Sequence, residues 1–466
     1  MVEGSRKGPG PTDGPPLIVV GAGACGMVAA LAAAKRGVEV LVFEKGAEPA
    51  GNTVRSTGLI PAAGTRFQRE GGILDDTPEL MVKDLSEKNN YESDPELTRL
   101  LCEGSASLVE WLADEAGCEM VCYTDFLYPG QRRLRMHGPK AHYGSELAAQ
   151  LERTVKNEPG IELLKNTPVD ALVCDGKRVS GVETAGGTVA AGAVILALNG
   201  FGGNREMVEE YLGSEAVTAL YYGSPNNTGE GIRWGMSLGA ATEHMGSYQG
   251  HASVAAPDGP LVTWGVIVNG AILVNRHGER FGDETAGYSE YAGAVMAQPG
   301  GEAWEIFDEE VYEASRGTRF DEVVEAGKVV RSETLEDLAE TFGLLAAVLV
   351  ETVEETNRSI RGEVSDPFGR EKFGDRPLEP PFYGIHVRGA LFHTQGGLKV
   401  DSRARVLRPD GSPIPGLYAG GGTAVGISGK GYKGYSSGNG LLAATVLGKV
   451  SGEAAAEELA REASRT

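Results

Sequence analysis

No apolar run in this 466-residue chain approaches the about 18 residues of a membrane-spanning helix. The longest candidate, Leu344 to Val350, is far too short. Basic residues are also scarce. Lys and Arg number 43 against 65 acids, leaving a net charge of −22. That argues against a nucleic-acid binder, which needs a basic face. Cysteine is sparse and odd in number: Cys25, Cys102, Cys118, Cys122 and Cys174. Such a scattered set argues against a disulfide framework and for a reducing compartment. Cys118 and Cys122 form C-x3-C with no second pair, and read as small buried residues rather than metal ligands. No metal site is expected. The polar, Gly/Pro-rich stretch Met1 to Pro16 has no signal-peptide h-region and reads as a flexible tail. The expectation is a soluble, cytoplasmic protein.

Glycine is what the chain has in excess. Its 68 glycines are roughly twice the ~7% average. They cluster in tight runs with no G-X-Y period, which suggests backbone-lined cofactor loops. The first cluster is the most informative. Leu17-Ile-Val-Val20 reads as a buried strand, Gly21-Ala-Gly-Ala-Cys-Gly26 as a turn, and the Ala-rich segment to about Arg36 as a helix ended by Gly37. Val38 to Phe43 is a second strand, followed at once by Glu44. A G-x-G-x-x-G turn inside a βαβ unit, with an acid 23 residues after its first glycine, predicts dinucleotide binding. Gly21 allows the tight turn, Gly23 lets backbone approach a pyrophosphate, and Gly26 lets helix pack on strand. Free N–H groups of the helix start face the phosphates, and Ala22 joins the cofactor set. Glu44 would accept ribose hydroxyls and repel a 2′-phosphate, which disfavours NADP.

The choice between NAD and FAD rests on two further stretches. Gly51-Asn52-Thr53 and Ser56-Thr57-Gly58 follow Glu44 closely, and a simple NAD site does not need them. Near the other end, Gly416-Leu-Tyr-Ala-Gly420-Gly421-Gly422 reads as a strand running into a turn. Gly438-Asn439-Gly-Leu441 then opens a helix. A second Gly-rich strand–turn–helix is what a longer cofactor, FAD, would require. Glu453 to Arg461 reads as a charged terminal helix.

These residues, with four further segments, carry a family resemblance. Ala197-Leu-Asn199-Gly200-Phe201 is similar to an A-T-G-G-F strand end. Asn227-Thr-Gly-Glu-Gly-Ile232 is similar to N-x-G-D-G-I. Ala271 to Phe281 with Asp283-Glu284 is similar to G-A-I-L-V-N-x-x-G-x-R-F-x-x-E, and His393-Thr-Gln-Gly-Gly-Leu398 completes the set. Over about Leu17 to Gly452 the chain resembles the FAD-dependent superfamily of fumarate reductases, 3-ketosteroid dehydrogenases and tricarballylate dehydrogenase.

The resemblance implies an α/β fold: a Rossmann-like FAD-binding domain with an inserted α+β capping domain. The domains would be 1–16 as tail, 17–246 plus 376–466 as FAD-binding domain, and 247–375 as substrate cap. Helices are expected in the cap at about Thr334 to Phe342 and Leu344 to Arg361. FAD would be held non-covalently, with Lys45, Val169, Asn199, Gly200, Asp283, Glu284 and Ser437 added to the cofactor set.

The same resemblance implies chemistry at a C–C bond beside a carbonyl or carboxylate. His251 and His393 match the substrate-binding histidines of the reductases. The reductases' arginine acid is replaced by Tyr288, and their Arg/Glu relay by Trp264 and Ile267. Tyr435 takes the place of their substrate-clamping arginine. Tyr288 and Tyr432 instead match the proton-abstracting and ketone-binding tyrosines of ketosteroid dehydrogenases. The reading is therefore a dehydrogenase (desaturase) that introduces a C=C bond α,β to a ketone. Its substrate would be a small cyclic ketone such as an oxocyclohexanecarboxylate, or a 3-ketosteroid. A tyrosine base has an ordinary pKa near 10, and His251, His393 or Lys430 are the candidates to help it lose its proton. No Fe–S spacing or C-x-x-C-H motif is present. Electrons would then leave to an external acceptor: oxygen, a quinone or a carrier. The alternatives are a fumarate-reductase-like or tricarballylate-dehydrogenase-like enzyme acting on a carboxylic acid, and a non-catalytic flavin-binding electron-transfer subunit.

Overall fold

The computed structural model describes residues 14–48, 51–124, 126–128, 130–371 and 376–465. Most of the expected tail, and residue 375 where the expected cap ends, lie outside the described residues. By their contacts the residues divide into two compact units. The first runs to Met207 and adds Gly223–Tyr248 and the chain from His393 onward; the second is Val208–Tyr222 with Gln249–Phe392.

The first unit is built on a six-stranded sheet. Its order is Arg405–Leu407, Pro413–Ala419, Ala193–Leu196, Leu17–Val20, Val40–Phe43, Ile161–Leu164. Only Arg405–Leu407 runs antiparallel to its neighbour. Leu17–Val20 lies centrally and is buried at every position, as expected of a parallel strand covered on both faces. Helix Ala24–Ala34 follows it, and Gly37, at φ +82°, lets the chain turn back toward Val40. The α/β class expected from the sequence is what the structure shows.

One expectation is corrected. The helix opening at Asn439 and the terminal helix placed at Glu453 are a single helix, Asn439–Ala463. Gly448 and Gly452, inside that helix, are contact points. A β-carbon on Gly448 would stand 2.5 Å from the Cys25 carbonyl oxygen, and one on Gly452 2.2 Å from that of Ala29. The two helices therefore meet backbone to backbone, and glycine is required for that approach rather than for a turn.

The second unit centres on the long strand Phe382–Thr394, which pairs with Glu302–Asp308, Leu220–Tyr221, Tyr248–Ala255 and Val330–Ser332. Ile272–Val274 extends the sheet beyond Glu302–Asp308. Strand alternation sorts its side chains. Trp304 and Ile306 join Leu338, Leu349 and Val353 on one face, while Ala303 and Phe307 join Trp264, Tyr291 and Ile385 on the other. Helices Leu335–Phe342 and Ala346–Ile360 cover the first face, close to the positions expected. Thr334 caps the first, its hydroxyl accepting from Asp337 N–H at 3.1 Å, and Gly343 ends it at φ +69°.

Gly452→Val places a branched side chain where there is room for none. It should lower stability by about 1–3 kcal/mol, read as a fall in the thermal midpoint. An unchanged midpoint would show that the two helices do not pack as described.

Candidate active site

In the first unit, the G-x-G-x-x-G turn has the close contacts its glycines imply. Gly21 lies at φ +102°. A β-carbon on Gly26 would fall 1.8 Å from the Gly21 carbonyl oxygen, whereas one on Gly23 would meet nothing closer than Thr53 Oγ1 at 3.8 Å. The open side at Gly23 is where a bulky anion can approach. Ala24 N–H donates to Thr53 Oγ1 at 3.1 Å, which ties the second polar stretch to the first helical turn. Glu44 accepts from Ala22 N–H at 3.0 Å through one carboxylate oxygen and from Gly46 N–H at 2.8 Å through the other. An ionised carboxylate has about four acceptor positions, so two remain for ribose hydroxyls. Thr167 N–H bonds the Glu44 carbonyl at 2.9 Å, which sets Val169 two residues further on at the start of its strand.

The C-terminal stretch closes on this turn. A β-carbon on Gly420 would strike Cys25 Sγ at 2.7 Å, and Gly421 lies at φ +58°. Thr423 Oγ1 accepts from Leu198 N–H at 3.1 Å and donates to the Asn199 carbonyl at 2.9 Å. Asn199 is itself left-handed, at φ +66°. Gly200 must lack a side chain because Thr394 Oγ1 occupies that space, accepting from Phe201 N–H at 3.2 Å. The sequence did not single out Thr394 or Thr423. Their contacts join residues about two hundred positions apart, for which a local pattern carries no signal.

At the start of helix Asn439–Ala463, both amide atoms of Asn439 and the hydroxyl of Ser436 are buried without a hydrogen-bond partner. Buried polar atoms are normally satisfied. Orphans here, with the open face at Gly23 and spare acceptors on Glu44, fit a polar cofactor such as FAD. Ser437 is buried beside them, and Leu441 is half-buried in the first turn. Thr57 is half-buried after Ser56, whose hydroxyl accepts from Gly58 N–H at 3.1 Å.

Four expected cofactor contacts find their side chains employed elsewhere. Lys45 Nζ donates to the Asn226 carbonyl at 2.6 Å and to Glu230 at 2.9 Å. Asn52 Oδ1 accepts from Ser224 N–H and Asn227 Nδ2. In the second unit, Asp283 caps a short turn by accepting from Thr285 N–H and hydroxyl. Glu284 is fully buried, and its oxygens take Arg280, Arg370 and Leu273 N–H. Asp366 on Arg280 completes a buried network of two cations and two anions. Glu284 reads there as a core ion rather than a cofactor ligand.

The candidate substrate residues fall into two groups. In the second unit, His251 stacks on Tyr288, ring centres 4.9 Å apart at 20°, and on Phe392 at 5.4 Å. Trp264 meets its edge at 6.2 Å. Ser253 N–H donates to His251 Nδ1 at 3.1 Å. Nδ1 is thus the acceptor, and the neutral ring carries its proton on Nε2. Burial pushes the His251 pKa down to about 3, so this histidine is a neutral donor. Tyr288 is the first residue of helix Tyr288–Met296, where the helix dipole favours negative charge. Trp264 and Ile267 are buried apolar side chains of the adjoining core.

In the first unit, His393 meets Tyr435 edge to face at 5.7 Å, and Gln395 Nε2 lies 3.0 Å from its Nδ1. Ser428 donates to Gln395 Oε1 at 3.0 Å, which leaves the Gln395 NH2 to point at His393. Burial lowers the His393 pKa to about 4. Tyr432 packs beside Tyr248, ring centres 5.5 Å apart. Lys430, a candidate helper, is exposed. Gln395 lies in the His393 to Leu398 segment, but no role is expected of it, of Phe392 or of Ser253 from the sequence. Ser253 reaches His251 as its second neighbour on one strand, Phe392 reaches it from the paired strand, and Gln395 reaches His393 just past that strand's end.

The fold and the dinucleotide turn define a flavin-dependent oxidoreductase, and the comparisons agree. The FAD binding domain family matches residues 17–441, and the chain belongs to it. The chain is 31% identical over 461 residues to the probable fumarate reductase Ifc3 of Shewanella frigidimarina, covering 96% of this chain and 76% of the relative. It is 28% identical over 537 residues to the 3-oxosteroid 1-dehydrogenase of Mycolicibacterium smegmatis, covering 90% and 93%. Among solved structures, the open conformation of a flavocytochrome c3 fumarate reductase superposes with a TM-score of 0.81 at 29% identity, over 96% of this chain and 79% of that one. The protein is an FAD-dependent oxidoreductase acting on CH–CH or C=C bonds. No described helix is long and apolar enough to cross a membrane, and no described group of His, Cys, Asp and Glu could hold a metal ion.

Two substitutions separate cofactor binding from core support. Glu44→Ala should loosen FAD by about 1.5–3 kcal/mol, seen as cofactor lost on gel filtration. Glu284→Gln strands a buried cation and should cost about 3–5 kcal/mol of stability, while the folded fraction keeps its FAD. FAD loss without a stability change in Glu284→Gln would return that residue to the cofactor set. A third expectation concerns acid. His137, His251 and His393 all have folded pKa values depressed by burial, to about 4, 3 and 4. Between pH 6.5 and those values the unfolded chain binds more protons, so stability should fall as pH drops through that window. A denaturant midpoint flat from pH 7 to pH 4 would contradict burial of the three rings.

Proposed function

We propose that the protein is a desaturase that introduces a C=C bond α,β to a ketone, on a small cyclic ketone or ketone-carboxylate or on a 3-ketosteroid. The observation that carries this reading is Tyr288 stacked on a neutral His251 whose edge meets the apolar Trp264, three residues before the buried Ile267. An acid that delivers a proton repeatedly needs a polar route to solvent, and Trp264 and Ile267 provide none. A tyrosine at a helix start suits proton removal instead. FAD, bound non-covalently, supplies the two-electron acceptor for the hydride leaving the β-carbon.

The remaining work falls to the chain. Tyr288 acts as the tyrosinate, its phenolic proton released to solvent before the substrate binds, and in that form takes the proton from the α-carbon. Tyr432 donates its hydroxyl hydrogen to the ketone oxygen, where negative charge develops as the α-proton leaves. The N–H groups of the Tyr435-Ser436 segment are further donors for that oxygen. His251, protonated on Nε2, is a neutral donor that orders Tyr288 by stacking, and its depressed pKa means it does not take the proton itself. Electrons then pass to an external acceptor such as oxygen, a quinone or a carrier.

A second reading is reduction of a C=C bond beside a carboxylate. The 31% identity to a probable fumarate reductase and the two retained histidines favour it. Loss of the arginine acid to Tyr288 and of the relay to Trp264 and Ile267 weighs against it.

Tyr288→Phe should slow substrate-driven bleaching of the flavin by ~10²–10⁴-fold with FAD still bound. Tyr432→Phe should slow it by ~10²–10³-fold. Near wild-type bleaching by a cyclic ketone in Tyr288→Phe would sink the desaturase mechanism. Turnover of unsaturated carboxylates, lost in His393→Ala and indifferent to Tyr432→Phe, would establish the second reading instead.

A further inference from the structure

The loop that carries Tyr432 contains Gly426, Gly429, Gly431 and Gly434. So much glycine gives a free loop wide conformational choice, yet a hydroxyl that meets a developing charge must be held to a fraction of an ångström. The loop is pinned from two sides within the first unit. On one side, Gly431 carbonyl accepts from Tyr248 N–H at 3.2 Å and from the Ser247 hydroxyl at 3.0 Å. On the other stands the turn after helix Pro78–Lys88.

Asn89 in that turn is buried, and its Nδ2 donates to the Ile427 carbonyl and to Ser93 Oγ, both at 2.8 Å. Glu92 Oε2 accepts from Lys430 N–H at 2.7 Å, while Glu92 N–H bonds Asn89 Oδ1 at 3.2 Å. The glycines of the loop leave room for these two residues. A β-carbon on Gly429 would lie 2.9 Å from Glu92 Cβ, and one on Gly434 2.8 Å from Asn89 Cβ. The turn holds two successive non-glycine residues in the left-handed region, Asn90 at φ +54° and Tyr91 at φ +58°. The Tyr91 ring is 71% exposed, so core packing of that ring does not account for the strain. The arrangement does aim Asn89 and Glu92 at the loop, and strained backbone of this kind collects where a site must be held in one geometry.

We infer that Asn89 and Glu92 are positioning residues that clamp the 427–434 loop and thereby set Tyr432 for the reaction. This rests on the assignment of Tyr432 proposed above. Neither residue needs to touch substrate. Glu92 acts through the Lys430 N–H and Asn89 through the Ile427 carbonyl.

The test uses the FAD-loaded protein and the two exposed lysines of the loop, Lys430 and Lys433, as trypsin sites. Glu92→Ala should keep its flavin absorbance. It should be nicked after Lys430 or Lys433 about fivefold faster than wild type, and its flavin should be bleached by the ketone about tenfold more slowly. Glu92→Gln keeps an acceptor for Lys430 N–H and should restore both readouts. In a Tyr432→Phe background, Glu92→Ala should still speed nicking but add no further loss of rate. Unchanged nicking in Glu92→Ala overturns the clamp, and faster nicking at an unchanged bleaching rate overturns its role in the reaction. Wild-type protein bleached by no ketone would overturn the functional reading instead, and the tryptic pattern would still decide whether the turn holds the loop.

Discussion

Backbone approaching backbone is the constraint on which the first unit depends. Helix Ala24–Ala34 starts where Gly26 meets the Gly21 carbonyl, and it lies against helix Asn439–Ala463 through Gly448 and Gly452. A single added methyl group at any of these places would push the elements apart. Because they meet so closely, the Gly420-Gly421 turn reaches Cys25, and Thr423 reaches the end of strand Ala193–Leu196. The first strand–turn–helix and the last one thus form one body, and the cofactor turn depends on residues four hundred positions downstream.

Two kinds of buried polar group stand out, one that serves support and one that suits a bound cofactor. Arg135 with Asp76 and Asp84, and Arg280 and Arg370 with Glu284 and Asp366, are closed networks in which each charge meets its opposite. Such networks hold the chain in register, and removing one member leaves a charge stranded in low dielectric. Asn439 and Ser436 are the other kind, buried and unpartnered. Leaving such atoms unmet costs stability, so the cost makes sense where a bound molecule supplies the partners.

The candidate substrate groups share one electrostatic character. His251 and His393 are neutral because burial penalises the imidazolium. Tyrosines stand where reductases of the superfamily resembled carry arginines. In the function proposed here the groups offered to a substrate are hydroxyls and neutral N–H donors, which suit a ketone oxygen that gains charge only during reaction. A carboxylate charged from the outset calls instead for a cationic partner, and arginine, whose fork binds it bidentately, is the side chain suited to that. Tyr432 must be well placed for this to work, which gives the Asn89–Glu92 clamp its purpose.

The sequence by itself determined the close-packed glycine turn after Val20, the buried strand before it and the two helices after Thr334. These are local matters: a glycine's missing side chain, a strand's apolar run, a cap and a helical period all act within a few residues. It also marked Tyr288, Tyr432, His251 and His393, through motifs that keep their order along the chain. It did not reveal that Lys45 bonds Glu230, that Glu284 meets Arg370 or that the helix from Asn439 runs on to Ala463, because each of these rests on partners far away in the chain. A carboxylate reads alike whether it faces ribose or a buried arginine, and a glycine reads alike whether it breaks a helix or lets two helices touch. Only the tertiary structure decided those cases, as it decided the tautomer of His251 and the hold of Glu92 on Lys430. Hydrogen bonds and close contacts form between neighbours in space, and in those places the chain's folding alone sets who the neighbours are.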